Sequence, residues 1–93
     1  MKITYILNVV ADVTGVAVDH ITSKSKVETV MMAKRLFIEK AKRIGYSTAA
    51  IAEILNISAQ AVRNLIKCKE TRKLYNIFSQ DVEKIIATAT EKS

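Results

Sequence analysis

The run from Ser47 to Lys67, STAAIAEILNISAQAVRNLIK, constrains the fold of this chain more than any other stretch. It reads as two short helices joined by a tight turn. Ile51, Ala52, Ile54 and Leu55 supply the apolar positions of the first, and Val62, Leu65 and Ile66 those of the second. Ile57 plugs the corner between them. Asn56 stands where the turn needs a positive φ, which Asn tolerates better than most residues. Small Ala52 allows close approach of the two helices, and Val62 and Leu65 pack back onto the first. Ser58 is placed to N-cap the second helix, and Ser47 or Thr48 the first. This spacing is that of a helix-turn-helix, whose second helix enters the DNA major groove.

The remaining sequence supports an all-α fold. The chain has 93 residues, no Pro and only Gly15 and Gly45, and no useful stretch alternates with a period of two. Its length suits one domain spanning residues 1–93. A first helix is predicted from about Ile3 to Thr14, with Ile3, Ile6, Leu7, Val10 and Val13 or Thr14 on one stripe. Gly15 can terminate it with a positive φ. Asp19 can cap a single turn ending near Ile21, returning Val18 and Ile21 to the core. A second helix is expected from about Glu28 to Ile44. Its buried stripe is Val30, Ala33, Leu36 or Phe37, Ala41 and Ile44, with Met31 and Met32 beside it. Lys34, Arg35, Lys40, Lys42 and Arg43 are expected on the opposite face. Gly45 ends this helix and Tyr46 packs beside the turn. A last helix from about Arg72 to Thr88 carries Leu74, Phe78, Val82, Ile85 and Ala89, with Tyr75 and Ile86 alongside. Thr71 or Ser79 is a candidate cap, and Glu91 to Ser93 should fray. The expected architecture is an orthogonal bundle of about five helices.

Charge is unevenly distributed. The formal net charge is +6, yet residues 24–73 hold twelve Lys or Arg against four acids. Each flank carries −1, so the excess surrounds the helix-turn-helix, as phosphate binding requires. The basic loop from Thr22 to Lys26, TSKSK, lacks apolar residues. Its plain reading is a solvent loop. Its functional reading is an arm on phosphate or in the minor groove, with Lys24 and Lys26 as donors and Ser23 and Ser25 as helpers.

On the second helix of the motif, Ser58, Ala59, Gln60, Arg63, Asn64 and Lys67 face away from the core. Gln60 and Asn64 can each pair with adenine, and Arg63 can read guanine or hold phosphate. Lys67, a turn later, suits phosphate. The N–H groups of Ala59 and Gln60 can meet a phosphate at the helix start.

Catalytic and metal sites are not expected. His20 is the sole histidine and Cys68 the sole cysteine, and no nucleophile–base pair, metal-ligand cluster or glycine-rich phosphate loop is present. Asp19 and His20 read as surface polar residues. A lone cysteine cannot form an intramolecular disulfide, which fits a reducing, cytoplasmic setting. The N-terminal apolar stretch is broken by Asn8 and Asp12 and reads as an amphipathic helix, not a targeting sequence. No run is long enough for a membrane span.

From about Ile6 to Ile86 the order of parts resembles the C-terminal DNA-binding domain of the bacterial replication initiator DnaA. In that domain a short apolar helix ends in a Gly-containing turn. A hydrophobic–acidic turn, a Ser-Lys-rich loop, a helix with an Ala-Arg motif and a helix-turn-helix follow. The matching stretches are VADVTGVAVDHITSKSK, VETVMMAKRL with Ala33 and Lys34, and GYSTAAIAEIL. The resemblance implies that the basic loop enters the minor groove while the recognition helix reads the major groove. It adds Lys34 to Lys24 and Lys26 as a contact. It also implies a monomer or weak homodimer.

The resemblance stops at the recognition helix. The family's Arg-Asp-His-Ser/Thr-Thr-Val signature is replaced by Ile57, Ser58, Ala59, Gln60, Ala61 and Val62, of which only the Val is kept. Val27 and Glu28 stand where the family has arginines, which weakens minor-groove reading. The initiator's own sequence preference therefore does not transfer, and its ATPase region has no counterpart here. The expectation is a stand-alone double-stranded DNA-binding module, replication-associated or regulatory. A protein partner is the alternative, motivated by Ala59 and Ala61 near the exposed surface.

Overall fold

Helices form where apolar residues recur at helical spacing, and they stop where the sequence supplies a residue suited to positive φ. The structure, a computed structural model, describes residues 2–25, 27–67 and 72–92, with side chains of the last helix described from 78 to 88. The helices are α1 Ile3–Thr14, α2 Val18–Ile21, α3 Glu28–Ile44, α4 Thr48–Leu55, α5 Ala59–Lys67 and α6 Arg72–Lys92. All regular structure among the described residues is helical. The single turn expected near Ile21 is α2, which makes the count six.

The helix ends follow from sequence. Gly15, at φ 73°, closes α1 by donating its N–H to the Ala11 carbonyl. Gly45, at φ 119°, closes α3, and the next N–H, of Tyr46, reaches back to the Ala41 carbonyl at 3.0 Å. Asn56 repeats this device at the end of α4. Its φ is 58°, and the Ile57 N–H donates to the Ala52 carbonyl at 3.0 Å. This double return of N–H groups satisfies carbonyls that a helix end leaves open. Replacing Asn56 with Val should destabilise the chain by about 1–2 kcal/mol, because a β-branched side chain crowds the left-handed region. Asn56→Gly should stay within roughly 0.5 kcal/mol of the parent. Chemical denaturation of the two variants checks both.

α3 is the axis around which the other five helices pack. Between residues 30 and 41 every residue is buried except Met31 and Glu39, which are half-buried. Leu36, Phe37, Ile38 and Ala41 have no exposed surface. α1 contributes Ile6, Leu7, Val9 and Val10, and Ile21 of α2 closes one side. Ile51, Ala52 and Leu55 of α4, Val62 of α5 and Val82 and Ile86 of α6 complete one hydrophobic cluster. The radius of gyration, 12.0 Å, matches the roughly 12 Å expected for a single packed unit of this length.

The central place of α3 corrects its expected two-faced pattern. Lys34, Arg35 and Lys40 are 4%, 8% and 4% exposed, whereas Ile44, expected in the core, is exposed. A helix surrounded by five others has little free face, so the long stems of these residues lie along apolar surface. Their charged ends find partners. The Arg35 Nε meets Glu39 Oε1 at 3.4 Å, one turn along. The Lys40 Nζ donates to Ser79 Oγ at 3.0 Å and to Glu83 Oε2 at 3.3 Å, while Arg43 takes Glu83 Oε1 at 2.5 Å.

These cross-helix bonds also set the rotation of α6. Ser79 and Glu83 face α3, so Phe78, Val82 and Ile86 follow at four-residue intervals into the core. Ile86 is buried and Ile85 is not, the reverse of the expected order. Ser79 lies inside an unbroken α6 and caps nothing, and the helix runs to Lys92, past the expected end at Thr88. Asp19 likewise sits inside α2, whose N-cap is Ala17 without a side-chain bond. The proposed cap Thr71 and Ser93 lie outside the described residues, as do the side chains of Leu74, Tyr75 and Ala89. Removing the charge of Glu83 leaves Lys40 buried without its carboxylate. Because Glu83 itself is one-third exposed, we expect Glu83→Gln to cost about 1–3 kcal/mol, less than a fully buried pair. Thermal unfolding reads this directly.

Candidate nucleic-acid interface

Two serines orient the helix-turn-helix. The Ser47 Oγ accepts the Ala50 N–H at 3.2 Å and starts α4. The Ser58 Oγ accepts the Ala61 N–H at 3.1 Å, and the Ser58 carbonyl accepts that of Val62 at 3.1 Å. Ser58 is thus the start of α5, and its hydroxyl proton remains available to an acceptor outside. Val62, fully buried, anchors the inner face of α5, with Leu65 and Ile66 half-buried beside it.

The outer face is polar. Gln60, Arg63, Asn64 and Lys67 are all exposed. The Gln60 Nε2 donates to Asn64 Oδ1 at 3.1 Å. This bond joins the two candidate adenine readers across one turn and fixes which end of each amide points where. The Asn64 NH2 has no partner among the described residues. Ala59 and Ala61 are half-buried. Ala61 lines a cleft toward α3.

The basic loop is a structured turn. The Ser23 Oγ donates to the His20 carbonyl at 2.6 Å and accepts the Ser25 N–H at 3.3 Å. The Ser25 Oγ accepts the Val27 N–H at 3.3 Å. Both serines therefore shape the loop; the Ser23 hydroxyl proton goes to the His20 carbonyl, whereas Ser25 accepts in its bond to Val27. Lys24 is exposed, and Lys26 lies outside the described residues.

Lys34 departs from its expected role. Helical spacing puts it on an outward basic face, yet its stem is buried and its Nζ donates to the Ser23 carbonyl. It tethers the loop to α3 from inside. Burial holds its ammonium below the ordinary 10.5. Together with Arg35, Lys40 and Arg43, Lys34 is used within the protein. Among the described residues, the exposed basic side chains in this part of the chain are Lys24, Lys42, Arg43, Arg63 and Lys67, of which Arg43 is paired with Glu83.

The loop and α5 meet around one cleft of about 450 Å³, lined by Lys24, Met31, Lys34, Ile57, Asn64 and Leu65 among others. Lys24 and Asn64 thus lie on one side of the molecule. By spacing alone Met31, Ile57 and Leu65 are core or corner residues. Their convergence on Lys34 depends on how α3 and α5 cross, and no local spacing encodes that.

Among the described residues, no three His, Cys, Asp or Glu side chains are grouped to hold a metal ion, and no helix is long and apolar enough to cross a membrane. Cys68 lies outside the described residues. Comparison of the chain with protein-family models, with curated proteins and with solved structures finds no match.

Proposed function

We propose that this chain is a non-catalytic, double-stranded DNA-binding module, a divergent relative of the initiator's C-terminal domain that acts in the cytoplasm as a monomer or weak homodimer. The observation that carries this reading is the exposed row Gln60, Arg63, Asn64 and Lys67. It lies on a helix whose inner face is fixed by Val62, beside a loop that presents Lys24. In this reading α5 enters the major groove. Gln60 and Asn64 face adenine, Arg63 faces guanine or phosphate, and Lys67 and Lys24 neutralise phosphates. Lys26 extends the loop contact by its position in the sequence.

Selection from a random duplex library at moderate salt, with the initiator's box as a control, tests the reading. The expected result is enrichment of a short motif other than that box. Its affinity should fall by about 150-fold between roughly 50 and 200 mM salt if four cations neutralise phosphates. Failure to retain any duplex at low salt would sink it. A protein-binding role is the competing reading, and Ala61, which the structure turns toward the cleft, lends it less than its place in the sequence suggested.

A further inference from the structure

We propose that the cleft between α5 and the start of α3 is a binding site for a small organic carboxylate with an apolar body. Its volume, about 450 Å³, lies within the range of small-molecule sites, roughly 300–1,000 Å³. The walls are apolar and come from three elements: Met31 of α3, Ile57 of the turn, and Ala61 and Leu65 of α5. The polar part of the lining comes from Lys24, Ser25, Lys34 and Asn64.

Lys34 points to the charge of the occupant. Its residue surface is 4% exposed, and among the described residues its hydrogen-bond partner is the Ser23 carbonyl alone. An ammonium carries three N–H donors. Two therefore have no acceptor among the described residues. No carboxylate is found among the described residues lining the cleft. A buried cation in this state is stabilised by an anion that brings both charge and acceptors. The depressed pKa of Lys34 has the same origin, and a bound anion would restore it toward its ordinary value.

The remaining features select among anions. The lysines and the Asn64 NH2 supply donors for the two oxygens of a carboxylate. Inorganic phosphate, more strongly hydrated and without an apolar body, would gain nothing from Met31, Ile57 and Leu65. The apolar walls instead take an aryl or alkyl group. Because Asn64 also belongs to the proposed DNA-facing row, an occupied cleft would engage its amide and weaken duplex binding. That consequence rests on the DNA-binding reading, whereas the site itself does not.

Titration of the full chain without DNA, followed by calorimetry and amide NMR, tests the site. The probes are 4-phenylbutyrate, its neutral amide, acetate and inorganic phosphate. We expect saturable binding of phenylbutyrate, with shifts centred on Met31, Ile57, Ala61 and Leu65, at least about tenfold tighter than any other probe. Lys34→Met should weaken it by about tenfold or more. Ala61→Phe, which fills the cleft and leaves the Lys34 tether intact, should abolish it and decides the matter if Lys34→Met does not fold. Equal affinity for the carboxylate and the amide, phosphate binding as tight as phenylbutyrate, shifts elsewhere, or retained binding by Ala61→Phe would each overturn the site. A duplex titration run in parallel separates the two readings. Phenylbutyrate binding without duplex binding removes only the DNA reading, and the reverse removes only this site.

Discussion

Arg63→Ala combined with Lys67→Ala should lower duplex affinity by at least about tenfold at moderate salt and flatten the salt dependence by nearly two in log–log slope. Both side chains are exposed on the outer face of α5 and hold no bond to another described residue, so the loss would not reflect unfolding. Each phosphate contact contributes about 0.9 to the slope through counterion release. Two contacts removed therefore predict a change of about 1.8. An affinity change with an unaltered slope would mean that neither residue touches phosphate. Fluorescence anisotropy on one duplex across a salt series gives both quantities, and circular dichroism confirms that the helices persist.

Phe37→Ala should be the most damaging single change in the chain, at about 3–5 kcal/mol. Phe37 is the bulkiest of the fully buried side chains and sits mid-way along the helix that all others pack against. Its truncation would leave a cavity bordered by several elements, which cannot all move in to fill it. A domain of this size has about 5–14 kcal/mol of total stability, so the variant would lie near its unfolding midpoint in mild denaturant. Urea unfolding followed by helical signal measures the shift. A loss below about 1 kcal/mol would contradict a core organised on α3.

Local devices were legible in the sequence, and the sides of the long helices were not. Gly15, Asn56, Ser47 and Ser58 act through bonds to residues no more than a few positions away, and each does what its residue type allows. The helix-turn-helix core is equally local, because Ala52, Leu55 and Val62 meet across a single turn. α3 failed as a two-faced helix because its lysines bury their stems and because its partners lie far along the chain. Lys40 meets Ser79 and Glu83 across 39 and 43 positions. The same pair turned α6 so that Ile86, and not Ile85, faces inward. A spacing of Ser79 and Glu83 at i and i+4 was a usable signal, since it puts two polar groups on one stripe of a helix otherwise assigned to the core.

The candidate site divides in the same way. Exposure of Gln60, Arg63, Asn64 and Lys67 follows from α5 having one buried anchor, Val62, and was readable from helical spacing. Lys34 was not readable, because its position on α3 fits an outward basic face equally well. Only the packing of α5 and the loop against α3 turns it inward and opens a cleft beside it.

Amide NMR of the labelled chain during titration with duplex DNA tests the central claim most directly. The account predicts saturable perturbations grouped on residues 58–67 of α5 and on residues 22–25 of the loop, with α1 and α6 nearly unchanged. Perturbations centred on α1 or α6, or none at low salt, would contradict it.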